Sequence, residues 1–298
     1  MAYYLTIDVG GTHIKYAIMT EDGEQTKRGH IPTPQNQVED FLNSIYGIVD
    51  DCTEELSGIA FSVPGKVDTS EGVIYFGGAL QYLDGLRIVD IMTEKYQIPV
   101  SVQNDAKAAA LAELWKGSLK GIQDGAVIVL GTGVGGGIIL DGKLRLGPHF
   151  QSGELSLSIL DASKDGFDKM VGYSGSAVRM ISQVNEALGQ EDVTDGLLAF
   201  EAINNRDEVA YPLFQNYCRQ IAYLILNLQA FFDLTTYAIG GGISSQAILV
   251  DEIRYQFDSF LETNPVMKLN VPKVDIVAAK FTNDANLYGA LFHLLSVK

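Results

Sequence analysis

Cysteine, tryptophan and basic residues are all scarce in this chain, and each shortage removes a class of protein. Cys52 and Cys218 stand alone, with no C-x-C or C-x-x-C spacing, so neither a disulfide framework nor a cysteine-rich zinc site is open to them. Isolated thiols suit a reducing compartment, and a cytoplasmic location is expected. The longest apolar stretch, Ile221 to Ile239, is interrupted by Asn227, Gln229 and Asp233, so it reads as a buried helix and strand and not as a membrane span. No charged segment followed by an apolar one precedes the first strand, so no signal peptide is expected. Lys and Arg number 21 against 37 Asp and Glu, a formal charge of −16. Contact with nucleic acid or an anionic membrane requires clustered cations, so neither partner is expected. An anionic ligand must be met locally, by glycine amides, a few cations and a bound metal ion.

What is present is apolar patterning cut by glycine turns. With 298 residues, 47 % of them apolar and 19 % charged, the chain can fill two domain cores. Periodicity predicts strands over 3–9, 14–20 and near 29–33, a helix through Val38, Phe41, Leu42, Ile45 and Ile48, and strands over 58–63 and 98–102. An Ala-rich helix over 106–116 and a polar, Gly-containing junction over 117–123 follow. Strands are then expected over 126–130, 137–140 and 143–146, helices between about 165 and 232, a strand over 236–239, a helix over 246–263, a strand over 274–278 and a last helix from Ala285. Each half opens with a strand, a Gly-rich turn and a returning strand, a coarse internal duplication.

Four segments carry chemistry. Asp8-Val9-Gly10-Gly11-Thr12, with Lys15 beyond it, offers backbone amides, a hydroxyl and a carboxylate at one turn, the parts that hold a magnesium-bound polyphosphate. The competing view is a hairpin whose glycines merely supply positive φ. Gly131-Thr132-Gly133-Val134-Gly135-Gly136-Gly137 matches G-x-G-x-x-G, but a strand follows where a dinucleotide fold needs a helix, and no Gly-Lys-[Ser/Thr] makes it a Walker loop. A second phosphate hairpin remains, with Thr132 as hydroxyl donor. Asn104-Asp105 is either a helix cap or a carboxylate placed to take a proton from a substrate hydroxyl, a role worth roughly 10²–10⁴-fold in rate. Gly240-Gly241-Gly242 lets backbone approach a flat ligand closely, or is a structural turn.

In this order the four segments resemble the sugar-kinase branch of the actin-like ATPases, and more closely the ROK family of bacterial sugar kinases and repressors. The resemblance also rests on Pro64-Gly65, Gly153-Glu154 and Asp284-Ala285-Asn286-Leu287, and so covers nearly the whole chain. It implies an α/β fold of two ribonuclease-H-like domains around a central cleft, here 1–117 with 286–298 as a sugar and phosphate domain and 118–285 as an ATP-binding domain. It implies Asp105 as the base and Asp8 as an indirect Mg²⁺ contact. Gly10, Gly11, Thr12, Lys15, Gly131, Thr132 and Gly133 would line the phosphates, and Gly240, Gly241 and Gly242 would lie by the adenosine. Asn104, Glu154, Gly65 and Tyr82 would meet the sugar. ATP and Mg²⁺ are the implied cofactors and a small sugar the implied partner, with association into a homodimer left open. Only seven residues precede Asp8, so the helix-turn-helix of the repressor branch is not expected.

The chain departs from the family pattern in one region. The family's Gly-Glu-x-Gly-His reads Gly153-Glu154-Leu155-Ser156-Leu157 here, without the histidine. Its zinc motif aligns with 169–178, where Lys169, Val171 and Ser176 replace cysteines and Val178 replaces a glutamate, so no structural zinc is expected. Tyr82 stands where the family has an asparagine. A pocket that exchanges polar groups for Leu, Val and Tyr should tolerate a glycosidic substituent, which points to β-glucosides such as cellobiose. Kinases of glucose, mannose or N-acetylmannosamine, and a non-catalytic sugar sensor, are the alternatives.

Overall fold

The structure, a computed structural model, describes residues 2–297. In chain order it contains β1 (Tyr3–Val9), β2 (His13–Thr20), β3 (Gln25–Pro32), α1 (Val38–Asp50), β4 (Leu56–Val63), the small hairpin β5 (Lys66–Asp68) and β6 (Val73–Tyr75), α2 (Ile88–Tyr96), β7 (Val100–Asn104) and α3 (Asp105–Lys116). The order continues with β8 (Gly125–Leu130), β9 (Val134–Leu140), β10 (Lys143–Leu144), α4 (Val171–Ser174), α5 (Ala177–Ala187), α6 (Gly196–Asn204) and α7 (Ala210–Phe232). It ends with β11 (Thr236–Gly240), α8 (Ala247–Thr263), α9 (Pro265–Asn270), β12 (Asp275–Ala278) and α10 (Ala285–Val297). Two compact units result, one of Met1–Lys116, Leu146–Ser152 and Asp284–Lys298, the other of Gly117–Arg145 and Gly153–Asn283.

In the first unit the five-stranded sheet runs β3-β2-β1-β4-β7. Its first three strands pair antiparallel, and β1, β4 and β7 pair parallel. Strand β1 is central and buried on both faces. Leu5, Ile7 and Val9 join Phe41 and Ile45 of α1 and Ile88 and Met92 of α2. Tyr4, with Ala17, Met19 and Ala60, meets Leu287, Ala290, Leu291 and Leu294 of α10. Helices α10 and α3 cross so closely that a Cβ on Gly289 would strike the Ala108 carbonyl oxygen, which is why alanines fill α3. Trp115 closes that crossing by stacking on Phe292 at 5.4 Å between ring centroids.

The second unit repeats the scheme. Its five-stranded sheet runs β10-β9-β8-β11-β12, again with three antiparallel strands followed by parallel pairs. The buried face of α7 (Phe214, Cys218, Ile221, Ile225) and Leu249 and Ile253 of α8 build its core.

Boundaries differ from the sequence reading where strands lie at an edge or contain glycine. Strand β3 begins at Gln25 because its early residues are exposed at the sheet edge and carry no apolar signal. Strand β9 begins at Val134, inside the glycine run, since Gly135, Gly136 and Gly137 pair with Val129, Ile128 and Val127 of β8. Strand β7 covers 100–104, not 98–102, and β10 stops at Leu144. The β5–β6 hairpin and α2 are additions that the periodicity did not announce.

Candidate functional site

Asp8 is the last polar residue of β1 and lies in a row of polar side chains across the sheet. Register sets it opposite Lys15 on β2 and Ser62 on β4, and sets Ser62 opposite Gln103 on β7. Ser62 Oγ and Asn286 Nδ2 each donate to Asp8 Oδ1 at 2.9 Å. Burial pushes the Asp8 carboxyl above the ordinary range, against the pull of these two bonds and of the Lys15 charge. Gln103 accepts the Asn104 N–H on its Oε1, while its buried Nε2 has no partner in the protein.

Gly11 and Thr12 form the two-residue tip between β1 and β2, closed by the Gly10 N–H donating to the His13 carbonyl at 3.0 Å. Neither Gly10 nor Gly11 adopts positive φ, so the purely conformational account of this pair does not hold. A Cβ on Gly10 would press on His13 O at 2.9 Å, whereas one on Gly11 would meet nothing nearer than Ala79 Cβ at 4.0 Å. No packing inside the protein demands glycine at 11. Thr12 is exposed at the same tip.

The Asn104-Asp105 pair sits where β7 meets α3. Asn104 is the cap, since its Oδ1 accepts the Lys107 N–H at 3.1 Å. Its Nδ2 donates to Gly65 O and to Asp105 Oδ1, both at 2.9 Å. Asp105 opens α3, takes the Ala106 N–H on Oδ1 at 2.7 Å and is half-buried. Gly65 needs its φ of +90°, and a Cβ there would strike the Phe76 carbonyl. Tyr82 is half-buried. Its hydroxyl donates to Pro34 O at 2.6 Å and its ring lies 6.2 Å from that of Phe41.

In the second unit the Gly131–Gly133 turn is held from below. Ala177 N–H donates to Gly131 O at 2.9 Å, and Ser156 Oγ both accepts the Val134 N–H at 2.9 Å and donates to Val134 O at 3.1 Å. Ser156 was not singled out in the sequence, because a lone serine among leucines gives no signal. Thr132 is exposed, and a Cβ on Gly131 would meet nothing within 4 Å. Glu154 follows Gly153, which lies after β10 and fits against the Gly136 carbonyl of β9 with φ +83°. At the third turn Gly241 is structural, with φ +98° and no room beside the Leu130 carbonyl, while Gly242 again has open space around it. The buried hydroxyl of Ser244, two residues on, has no protein partner.

The segment aligned with the zinc motif is otherwise employed. Val171 is core, and Ser176 Oγ caps α5 by accepting the Arg179 N–H at 3.2 Å. Among the described residues no three His, Cys, Asp or Glu gather as a metal cage. Leu157 and Val178 are exposed, at 57 % and 47 %.

The family model described as ROK matches residues 4–296. A β-glucoside kinase of Listeria monocytogenes is 28 % identical over 97 % of this chain and 96 % of its own. A glucokinase of Halalkalibacterium halodurans is 29 % identical over 87 % of this chain and 86 % of its own. Among solved structures, a ROK family protein from Streptococcus pneumoniae in complex with sucrose superposes with a TM-score of 0.88 at 30 % identity, covering 99 % and 98 % of the two chains. The described residues include no helix long and apolar enough to cross a membrane.

Proposed function

Since this chain belongs to the ROK family, we propose that its activity as an ATP-dependent sugar kinase is directed to the 6-hydroxyl of a β-glucoside such as cellobiose. Kinase activity follows from the family match along nearly the whole chain; the acceptor is the inferred part. The observation that carries it is the pair Leu157 and Val178. At positions where the family has a histidine and a glutamate, this chain sets aliphatic side chains in solvent and not in its core. Exposed apolar side chains there favour the apolar face of a second ring over a free anomeric hydroxyl. The Listeria relative, a β-glucoside kinase, and the sucrose held by the Streptococcus pneumoniae protein both support an acceptor longer than one sugar.

The residues fit the chemistry of phosphoryl transfer, in which positioning and charge stabilisation do most of the work. Asp105 takes the proton of the attacking hydroxyl, and Asn104 holds that carboxylate and the Gly65 carbonyl in fixed relation. Gly65, Asn104 and Glu154 orient sugar hydroxyls. The tips Gly11-Thr12 and Gly131-Thr132-Gly133 present amides and hydroxyls to phosphate oxygens, with Gly10 and Lys15 completing the first tip. Gly240 to Gly242 would lie by the adenosine, with open space beside Gly242. A magnesium ion bound with ATP neutralises phosphate charge. The buried carboxylate of Asp8, with no cage of further ligands among the described residues, would suit an ion that keeps most of its waters. The repeated sheet order of the two units supports two ribonuclease-H-like domains.

The test is ADP release with a sugar panel. kcat/KM for cellobiose or an aryl β-glucoside should exceed that for glucose and N-acetylmannosamine, and turnover should fall about 10²–10⁴-fold in Asp105→Ala. A clear preference for either free monosaccharide would overturn the acceptor assignment.

A further inference from the structure

The segment Thr33-Pro34-Gln35, directly after β3, holds the whole first phosphate tip. Thr33 Oγ1 donates to Gly10 O at 2.7 Å, and the Thr33 N–H donates to Thr12 O at 2.9 Å. Gln35 Nε2 donates to Gly11 O at 2.8 Å and to Thr33 O at 2.9 Å. Every carbonyl from Gly10 to Thr12 is thus engaged from one side. Peptide bonds here are trans, and in a planar trans peptide the C=O and the following N–H point in opposite directions. Fixing the carbonyls of Gly10 and Gly11 therefore aims the amides of Gly11 and Thr12 away from the segment, toward the open side of the tip.

The same segment is tied to the loop beside Asn104. Tyr82 donates its hydroxyl proton to Pro34 O at 2.6 Å. Tyr82 belongs to the loop after β6, in which Ala79 faces Gly11 and Phe76 packs on Gly65, the partner of Asn104. Pro32 and Pro34 flank the buried Thr33, each with a fixed φ, so the segment is stiff.

We propose that Thr33-Pro34-Gln35 is a strap that positions the phosphate tip, with Thr33 and Gln35 as positioning residues. Tyr82 acts on the phosphate end through Pro34 and not on the sugar directly. The inference rests on the kinase reading of the Gly10–Thr12 tip.

Its test is steady-state kinetics in ATP and in sugar for five variants, with MgADP affinity by calorimetry. Thr33→Val removes the donor at constant volume and should lower kcat/KM for ATP about tenfold to a hundredfold, as small misplacements of reacting groups do. Thr33→Ser, which keeps the hydroxyl, should return it to within about threefold of the original. Gln35 is exposed, so Gln35→Leu tests the strap without risk to folding. It should raise KM for ATP about threefold at unchanged kcat and unchanged melting temperature, the cost to the tip of the lost bond to Gly11 O. Tyr82→Phe should raise KM for ATP and leave KM for the sugar alone. The strap is overturned if Gln35→Leu leaves ATP parameters intact, if Thr33→Ser is as impaired as Thr33→Val, or if Tyr82→Phe moves only the sugar KM. Gly11→Val separates this from failure of the underlying reading. The Cβ of that side chain would meet nothing nearer than Ala79 Cβ at 4.0 Å, so if this variant too leaves ATP use unchanged, the tip binds no phosphate and both readings fall.

Discussion

Asp8 is a costly residue for the protein to keep. Its carboxyl is raised by burial, so ionising it costs the folded state more than the unfolded one, and that penalty is present in full at every pH above the raised value. Below the ordinary carboxylate pKa both folded and unfolded states are protonated and the penalty disappears. Asp8→Asn keeps an oxygen to accept from Ser62 and Asn286 and removes the charge. It should raise the melting temperature by a few degrees at pH 7, with the gain vanishing as the pH falls toward 3.8, while phosphoryl transfer collapses. Thermal melts of the two proteins across that range check both signs. Asp105 differs, because its carboxylate is half-exposed and its loss should fall on kcat. Asp105→Ala should lower kcat about 10²–10⁴-fold with little change in melting temperature. His293 offers a second pH signature. Burial in α10 lowers its pKa to about 4, so the unfolded chain binds a proton that the folded one refuses between pH 6.5 and 4. Stability should fall by about 3 kcal/mol over that window from this group alone. Denaturant melts at both ends should show the slope reduced in His293→Leu.

At the scale of turns and strands, glycine separates structure from function. Gly11, Gly131 and Gly242 have neither positive φ nor a close neighbour for a Cβ, while Gly241 has both constraints. Alanine at the first three should leave the melting temperature within a degree or two and raise KM for ATP about tenfold, because a methyl group would occupy the space of a phosphate oxygen or the base. Gly241→Ala should instead cost roughly 2–3 kcal/mol in stability. Calorimetry beside kinetics for the four variants distinguishes these outcomes. The contrast also bears on what the sequence could reveal. Strand, glycine turn and returning strand are contiguous, so both tips were legible from a short window. The groups that hold them were not. Thr33, Gln35 and Ser156 each contribute one hydroxyl or amide from a distant segment, and the register that sets Ser62 beside Asp8 exists only after β4 joins the sheet. The cap at Asn104 was legible, but its second amide bond, to Gly65, needed the fold.

For the whole molecule, chain order and architecture disagree at one point that matters. The first unit is incomplete until the last helix arrives, because α10 supplies the apolar cover of one sheet face and the Asn286 donor to Asp8. The second unit draws its core from 117–283, apart from the short excursion 146–152. Ending the chain after Asn283 removes Leu287, Ala290, Leu291 and Leu294 from over Tyr4, Ala17 and Ala60, and leaves the Ala108 backbone without its close partner Gly289. Four buried side chains at about 1–3 kcal/mol each approach the whole stability of a domain of this size, so the first sheet should lose its fold while the second keeps it. Amide hydrogen exchange reads this directly, with protection expected to vanish in β1, β4 and β7 and to persist in β8 and β11. Uniform loss would show that the two cores are one cooperative system. Full retention would show that α10 is a docked appendage, and that Asp8 is held by Ser62 alone.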